Sequence, residues 1–190
     1  MCGKNRFRNL ALLSAGTLAG TLAGTEAASA EGRNGSEAPK KPNILFFLVD
    51  DLGWSDIGCF GSRFHETPNI DRLAEEGVRF TNAYAACHVS SPTRASLMTG
   101  RYPASIRLTD WLPGRKNWPF QRLLNAPVEQ HLPFEEITVA ETLRDNGYAT
   151  AIIGKWHLGK GDSNPLAHGF DEHIPLGYNE GWPQGYYAPF

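Results

Sequence analysis

The stretch Tyr148-Ala149-Thr150-Ala151-Ile152-Ile153-Gly154-Lys155-Trp156-His157 decides the fold prediction, because an apolar run of strand length ends there in polar side chains. Upstream, the run from Ile44 to Val49 has the same form and ends in Asp50 and Asp51. Continuous apolar runs of this length are typical of central parallel strands that are buried on both faces. A buried helix is the alternative, but the short length of each run favours a strand.

Helix signals separate these two runs. Three segments have a capping residue before them or a glycine after them: Thr67 to Gly77, Ser91 to Met98 and Thr138 to Gly147. Val78 to Ala83 is predicted as a short strand, and Leu108 to Leu132 as a loop, because that segment lacks periodicity. The alternation of strands and helices predicts an α/β fold with a doubly wound, mostly parallel sheet and helices on both faces.

Polar side chains follow both apolar runs at the point where each predicted strand ends. Ligands bind outside the carboxyl ends of strands in open α/β sheets, so Asp50, Asp51, Lys155 and His157 are expected at one edge. Adjacent carboxylates suit a hard cation, and a turn or helix cap is their alternative role. Lys155 and His157 are two residues apart, so both can face a pocket with Trp156 turned away; a surface position is the alternative.

The segment Ser90-Ser91-Pro92-Thr93-Arg94 begins the second predicted helix. Ser90 is placed beside a helix N-terminus, which attracts anions, and Arg94 lies one helical turn further on. Their ordinary roles are a helix N-cap for Ser90 and a surface ion pair for Arg94. The spacing also permits Arg94 to point back towards Ser90.

Three blocks occur in the order that the sulfatase family has: Asp50-Asp51, Ser90 to Arg94, and Gly154 to Gly159. The chain thereby resembles this family over roughly Lys41 to Phe190. The family has the pattern Ser-x-Pro-x-Arg, a pair of aspartates after its first strand, and a Gly-Lys-Trp-His-Leu-Gly block such as Gly154 to Gly159. The resemblance implies an alkaline-phosphatase-like fold, incomplete in this chain, and hydrolysis of sulfate esters. It also implies that Ser90 is oxidised to formylglycine.

The resemblance assigns a role to each candidate residue. Asp50, Asp51 and the oxidised Ser90 are expected to bind Ca²⁺, with Mg²⁺ as the alternative. One hydroxyl of the hydrated aldehyde is expected to attack sulfur, and the other to lose a proton and expel sulfate. Arg94 is expected to hold this geometry and Lys155 to contact the sulfate. His157 is expected to take the proton from the hydrate.

The family's remaining metal ligands, and a later His and Lys, belong to blocks that do not occur before Phe190. We therefore expect residues 41–190 to be the N-terminal part of a catalytic domain, inactive and poorly stable without the rest. The alternatives are a phosphodiesterase or phosphonate hydrolase of the same superfamily, or a non-catalytic, carbohydrate-binding pseudoenzyme.

The N-terminal residues have the pattern of an export signal. Residues 1–30 combine Lys4, Arg6 and Arg8 with an apolar run and the site Ala28-Ser29-Ala30, which predicts a cleaved signal peptide; a membrane anchor is the alternative. Residues 31–40 are a polar linker. The protein is thus expected in a bacterial periplasm or outside the cell, without stable membrane insertion. A serine-type site implies maturation by a radical-SAM enzyme before export.

Composition excludes some partners and leaves others open. The formal net charge of −2 gives no sign of nucleic-acid binding. Cys59 and Cys87 are either a disulfide or two small apolar side chains. The substrate is expected to be a sulfated small molecule or polysaccharide. Six aromatic residues are candidates for stacking on sugar rings, with the core as their alternative place: Trp111, Trp118, Tyr178, Trp182, Tyr186 and Tyr187.

Overall fold

The computed structural model describes residues 41–175, which divide between two compact units, residues 41–84 and 85–175. The predicted signal peptide and linker, and Tyr178, Trp182, Tyr186 and Tyr187, lie outside the described residues. The elements in chain order are helices α1 (Pro68–Glu76), α2 (Ser90–Thr99) and α3 (Val139–Asp145), then strands β1 (Ala151–Ile153) and β2 (Glu172–Ile174). Short 3-10 helices span Gly58–Phe60, Gly161–Ser163 and Pro165–His168.

In the first unit, the predicted helix forms but the predicted strands do not. Residues 44–49 and 78–83 have no strand structure, so both strand predictions are wrong for the described chain. A strand is defined by pairing with a neighbour, and the sheet of the described residues contains only β1 and β2. In the first run, the side chains of Phe47 and Val49 are more than half exposed, and none of the six residues is buried.

Helix α1 begins with Pro68 at its first position and ends at Gly77, as predicted. Thr67 occupies the N-cap position, but its hydroxyl does not cap the helix. It accepts a hydrogen bond from Gly58 N (2.8 Å) and donates to Asp71 Oδ1 (3.1 Å). Asp71 Oδ1 also accepts from Cys59 N (2.6 Å), so Thr67 and Asp71 tie α1 to the 3-10 turn before it.

The second unit contains the hydrophobic core. Its buried members come from α2, α3, the loop after α2 and the segment after β1: Ala95, Met98, Ile106, Leu108, Leu132, Ala140, Trp156 and Leu158. The predicted loop has no helix or strand, but its two end residues, Leu108 and Leu132, are fully buried. The loop is therefore anchored in the core at both ends.

Helix α3 and strand β1 form where the sequence predicts them, whereas strand β2 was not predicted. Thr138 and Glu141 form both hydrogen bonds of a capping box. Strand β1 pairs in parallel with β2, with Ile152 opposite His173, and it is shorter than the predicted Tyr148 to Ile153. A parallel pair needs a crossover connection, which runs here through two 3-10 helices.

Gly169 lets the crossover pack against α3. Its φ is 94°, and a Cβ there would lie 2.5 Å from Glu141 N and 2.8 Å from Glu141 Cα. Those are backbone atoms that cannot move aside, so only glycine fits. The Thr138 hydroxyl donates to His168 O (2.8 Å), and the Thr150 hydroxyl donates to Gly169 O (2.8 Å), which fixes this approach from both sides.

Candidate active site

Ser90 is the first residue of helix α2, and Val89 is the N-cap. The alternative role of Ser90 as an N-cap is therefore wrong. The Ser90 hydroxyl oxygen instead accepts a hydrogen bond from Arg94 Nε at 3.0 Å. The separation of four residues brings these side chains together on one face of the helix.

Arg94 connects the helix to the segment after β1. Its guanidinium NH1 donates to Lys155 O at 2.7 Å, and the residue is only 9% exposed. The alternative role of Arg94 in a surface ion pair is therefore wrong, because the residue is not at the surface. A guanidinium presents several donors in a rigid plane, which suits it to hold two oxygens at once. Arg94 thus brings Ser90 and the backbone of Lys155 into one site.

The segment from Lys155 to Leu158 alternates between half-buried and buried side chains. Lys155 and His157 are half-buried, whereas Trp156 is 2% exposed and Leu158 is fully buried. Trp156 is thus turned away from Lys155 and His157, as the spacing predicts. Its indole Nε1 donates to Ser163 O (3.0 Å), and Leu158 O accepts from Leu132 N (2.8 Å). The core therefore fixes this segment between the two candidate residues.

His157 has a backbone φ of 58°, in the left-handed region that histidine enters more readily than most residues. Its Nε2 lies 2.9 Å from Leu112 O. A carbonyl oxygen can only accept, so Nε2 carries a proton in this contact.

Two features near the site carry no sequence signal. The first is Leu112, whose N donates to Ser91 Oγ at 3.1 Å and whose carbonyl contacts His157. It lies inside the aperiodic segment, which sequence patterns identify only as a loop. The structure, and not the sequence, shows that this segment belongs to the folded unit, because its end residues Leu108 and Leu132 are fully buried.

The second is His168, which is buried beneath Trp156. Its Nε2 lies 3.0 Å from Ser163 Oγ, and its ring stacks on Phe134 with centroids 5.1 Å apart. Burial lowers the pKa of His168, Glu141 opposes that shift, and His131 adds slightly to it. In the sequence, His168 is a single histidine before a glycine, and no pattern there predicts its burial or its lowered pKa.

Asp50 and Asp51 belong to the first unit. Both are exposed and lie in a turn, and Asp51 has a φ of 56°. Carboxylate oxygens fit a hard cation, but Ca²⁺ takes six to eight ligands and the described residues contain no group of three or more His, Cys, Asp or Glu arranged to hold a metal. The donor chemistry therefore fits Ca²⁺ or Mg²⁺, and the described part of the chain supplies an incomplete set.

Other candidate residues are also placed. Cys59 and Cys87 are half-buried free thiols. Trp111 is 38% exposed and Trp118 is 55% exposed, so the core alternative is wrong for these two residues. Across residues 41–175, no helix has the length and apolar character needed to cross a membrane.

A sequence model of the sulfatase family matches residues 42–187. The chain is 40% identical to N-acetylgalactosamine-6-sulfatase of Canis lupus familiaris over 85% of its own length, and 45% identical to steryl-sulfatase of Homo sapiens over 72%. It spans 29% and 24% of the length of these two relatives.

Solved structures show the same fold. The crystal structure of Ps i-CgsB matches 78% of this chain with a TM-score of 0.64 and 38% identity, and the chain covers 30% of that structure. The same protein in complex with k-i-k-neocarrahexaose matches with a TM-score of 0.59. The predicted α/β, alkaline-phosphatase-like fold is thereby confirmed as the class, with a small part of its sheet formed in the described residues. The chain belongs to the sulfatase family.

Proposed function

We propose that the whole protein containing this sequence is a sulfuric ester hydrolase. The observation that carries the proposal is Arg94, which contacts Ser90 Oγ and Lys155 O and so joins the Ser-x-Pro-x-Arg and Lys-x-His blocks in one site. Membership of the sulfatase family supports the reaction type.

In this proposal, Ser90 is oxidised to formylglycine, whose hydrate supplies the nucleophile. Arg94 is a donor only, and both the serine hydroxyl and an aldehyde oxygen accept hydrogen bonds, so its contact with position 90 suits both forms. Lys155 binds a sulfate oxygen through its ammonium group. His157 accepts a proton at the same site.

The proposed cation is Ca²⁺, with Mg²⁺ as the alternative, bound by Asp50, Asp51 and the oxidised Ser90. Such a cation would neutralise the charge of the sulfate group. Within the described residues the carboxylates of Asp50 and Asp51 are exposed, which leaves them accessible to an ion. They repel each other unless a cation compensates their charge.

The proposed substrate is a sulfated carbohydrate, with a sulfated small molecule as the alternative. Relatives named N-acetylgalactosamine-6-sulfatase, and the complex of Ps i-CgsB with a neocarrahexaose, support the carbohydrate. The exposed indoles of Trp111 and Trp118 offer flat apolar faces of the kind that stack on sugar rings.

The proposed route to the mature protein begins with oxidation of Ser90 by a radical-SAM maturase. Export to the periplasm or beyond the cell then follows, directed by residues 1–30. A serine at position 90 and the charge and apolar pattern of the first thirty residues support this order.

The test uses the native gene product, produced with and without the maturase. Mass spectrometry should show loss of two hydrogens from the Ser90 peptide, and only that form should hydrolyse an aryl sulfate. A matched phosphate diester is assayed in parallel, and faster turnover of it would favour the phosphodiesterase alternative. Sulfatase activity from a protein with unmodified serine would refute the role of Ser90.

A further inference from the structure

Leu112 uses both polar atoms of its backbone to join two parts of the candidate site. Its N donates to Ser91 Oγ at 3.1 Å, and its O lies 2.9 Å from His157 Nε2. Ser91 is fully buried and directly follows Ser90 in α2. The loop is therefore held between the start of α2 and the histidine.

The contact with Leu112 O selects one form of the imidazole. The carbonyl oxygen can only accept, so the proton of the neutral ring lies on Nε2, and Nδ1 is then the nitrogen able to accept a proton. The opposite tautomer would place two acceptors against each other at 2.9 Å. The carbonyl thus determines which nitrogen is basic.

The backbone of His157 is already constrained by its neighbours. Trp156 and Leu158 are buried on either side, and φ at His157 is 58°. Only the side-chain torsions of His157 remain to be set, and the hydrogen bond to Leu112 O restrains them. Leu112 N in turn donates a hydrogen bond to the hydroxyl of Ser91.

We propose that Ser91 is a positioning residue: it holds Leu112 so that the Leu112 carbonyl keeps His157 in the Nε2–H tautomer. The catalytic consequence rests on the proposed function, in which His157 accepts a proton. The tautomer itself is measurable without any turnover.

The test compares Ser91→Ala with Ser96→Ala in the native gene product labelled with ¹⁵N-histidine. Ser96 is a matched control, because its hydroxyl lies buried on the same helix and has no hydrogen-bond partner among the described residues. The His157 signal is assigned by its loss in His157→Asn. We expect the Nε2–H signature in the wild type and in Ser96→Ala at alkaline pH, and a tautomer mixture in Ser91→Ala.

Turnover is measured per mole of formylglycine, because Ser91 adjoins the modified residue. Ser91→Ala should lower kcat about tenfold, as supporting contacts at active sites do, and change KM less than about threefold. An Nδ1–H tautomer in the wild type would overturn the proposal, even if Ser91→Ala failed to fold. Identical spectra and kcat for the two alanine variants would also overturn it.

The two proposals fail in different ways. A wild type without sulfatase activity, but with a tautomer that depends on Ser91, refutes the proposed function and retains the positioning role. If the wild type is active, and Ser91→Ala changes neither the His157 tautomer nor kcat, the positioning role is refuted and the proposed function is retained.

Discussion

Residues 41–84 and 85–175 each contain an apolar run followed by polar candidate residues. The two regions differ in how deeply these runs and the residues around the polar side chains are buried. After β1, the buried side chains of Trp156 and Leu158 alternate with Lys155 and His157 and anchor their backbone in the core. After residues 44–49, the polar residues lie in an exposed turn, and no residue of the run is buried: Phe47 and Val49 are each 56% exposed.

The difference shows that a polar residue after an apolar run acquires fixed geometry only where its neighbours are packed. Lys155 and His157 are positioned by the core and by hydrogen bonds to Arg94 and Leu112. Asp50 and Asp51 are exposed at a turn, so packing does not fix their side chains as it fixes the segment after β1. A bound cation would have to orient their carboxylates.

The largest expected effect is at the packed site. Ser90→Ala in the matured gene product should lower kcat by at least about 10⁴-fold, because it removes the precursor of the nucleophile. The thermal midpoint should change little, since Ser90 is not the helix cap. Ser105→Ala, an exposed turn serine, is the control and should retain activity. Activity of Ser90→Ala near the wild-type level would rule out the nucleophile assignment.

The next effect concerns the exposed turn. Asp51→Asn should lower kcat about 10²- to 10³-fold, because loss of one carboxylate weakens cation binding. Exhaustive chelation of the wild type should have a similar effect, reversed by added Ca²⁺. Asp56→Asn is the matched control, since Asp56 lies close by and its Oδ2 accepts from Gly53 N, a role that an amide oxygen also serves. Full activity of Asp51→Asn after chelation would remove the metal role.

A third prediction compares the packing of the two regions in the native gene product. Leu158→Ala should lower the free energy of unfolding by about 2–5 kcal/mol, because it opens a cavity in the core. Val49→Ala should change it by about 0.5 kcal/mol or less, because Val49 is mostly exposed. Urea unfolding measures both. An equal cost for the two variants would mean that residues 44–49 pack in a sheet.

The smallest expected effect is the pH dependence due to His168. Its pKa is lowered in the fold mainly by burial, so below the ordinary pKa of about 6.5 the unfolded chain binds the proton and the folded chain resists it. The free energy of unfolding is therefore highest above that value and falls as the pH drops towards the lowered pKa. The limit for one proton is about 1.4 kcal/mol per pH unit.

His168→Gln should show a weaker fall in the free energy of unfolding between about pH 8 and about pH 5.5 than the wild type. His65→Gln, at an exposed histidine, is the control substitution. A pH profile for His168→Gln parallel to that of the wild type would show that the charge on this histidine does not limit stability.

The sequence predicted elements whose signals are local. The capping box of Thr138, the proline and glycine that bound α1, and the alternation around Trp156 all depend on a few neighbouring residues. The run at residues 44–49 failed as a strand because pairing depends on distant partners, which no local pattern supplies.

The candidate site was predictable only where residues follow a motif. Ser90, Arg94, Lys155 and His157 share one unit, and contacts among α2, the segment after β1 and the loop bring them together. Leu112 acts through backbone atoms, which every residue type has, so its identity carries no signal. His168 is buried by contacts with Phe134 and Trp156, which precede it in the chain by many residues, so no local pattern around His168 reveals its environment.

The left-handed backbone of His157 limits which replacements can be informative at that position. Asparagine, aspartate and glycine tolerate such a φ, whereas a β-branched residue is strained there by its own Cβ substituents. A saturation library at position 157 would therefore separate into two classes: variants that lose the imidazole but keep the chain path, and variants that also displace Trp156 and Leu158. Only variants of the first class, such as His157→Asn, measure the effect of losing the imidazole ring without a change in the backbone.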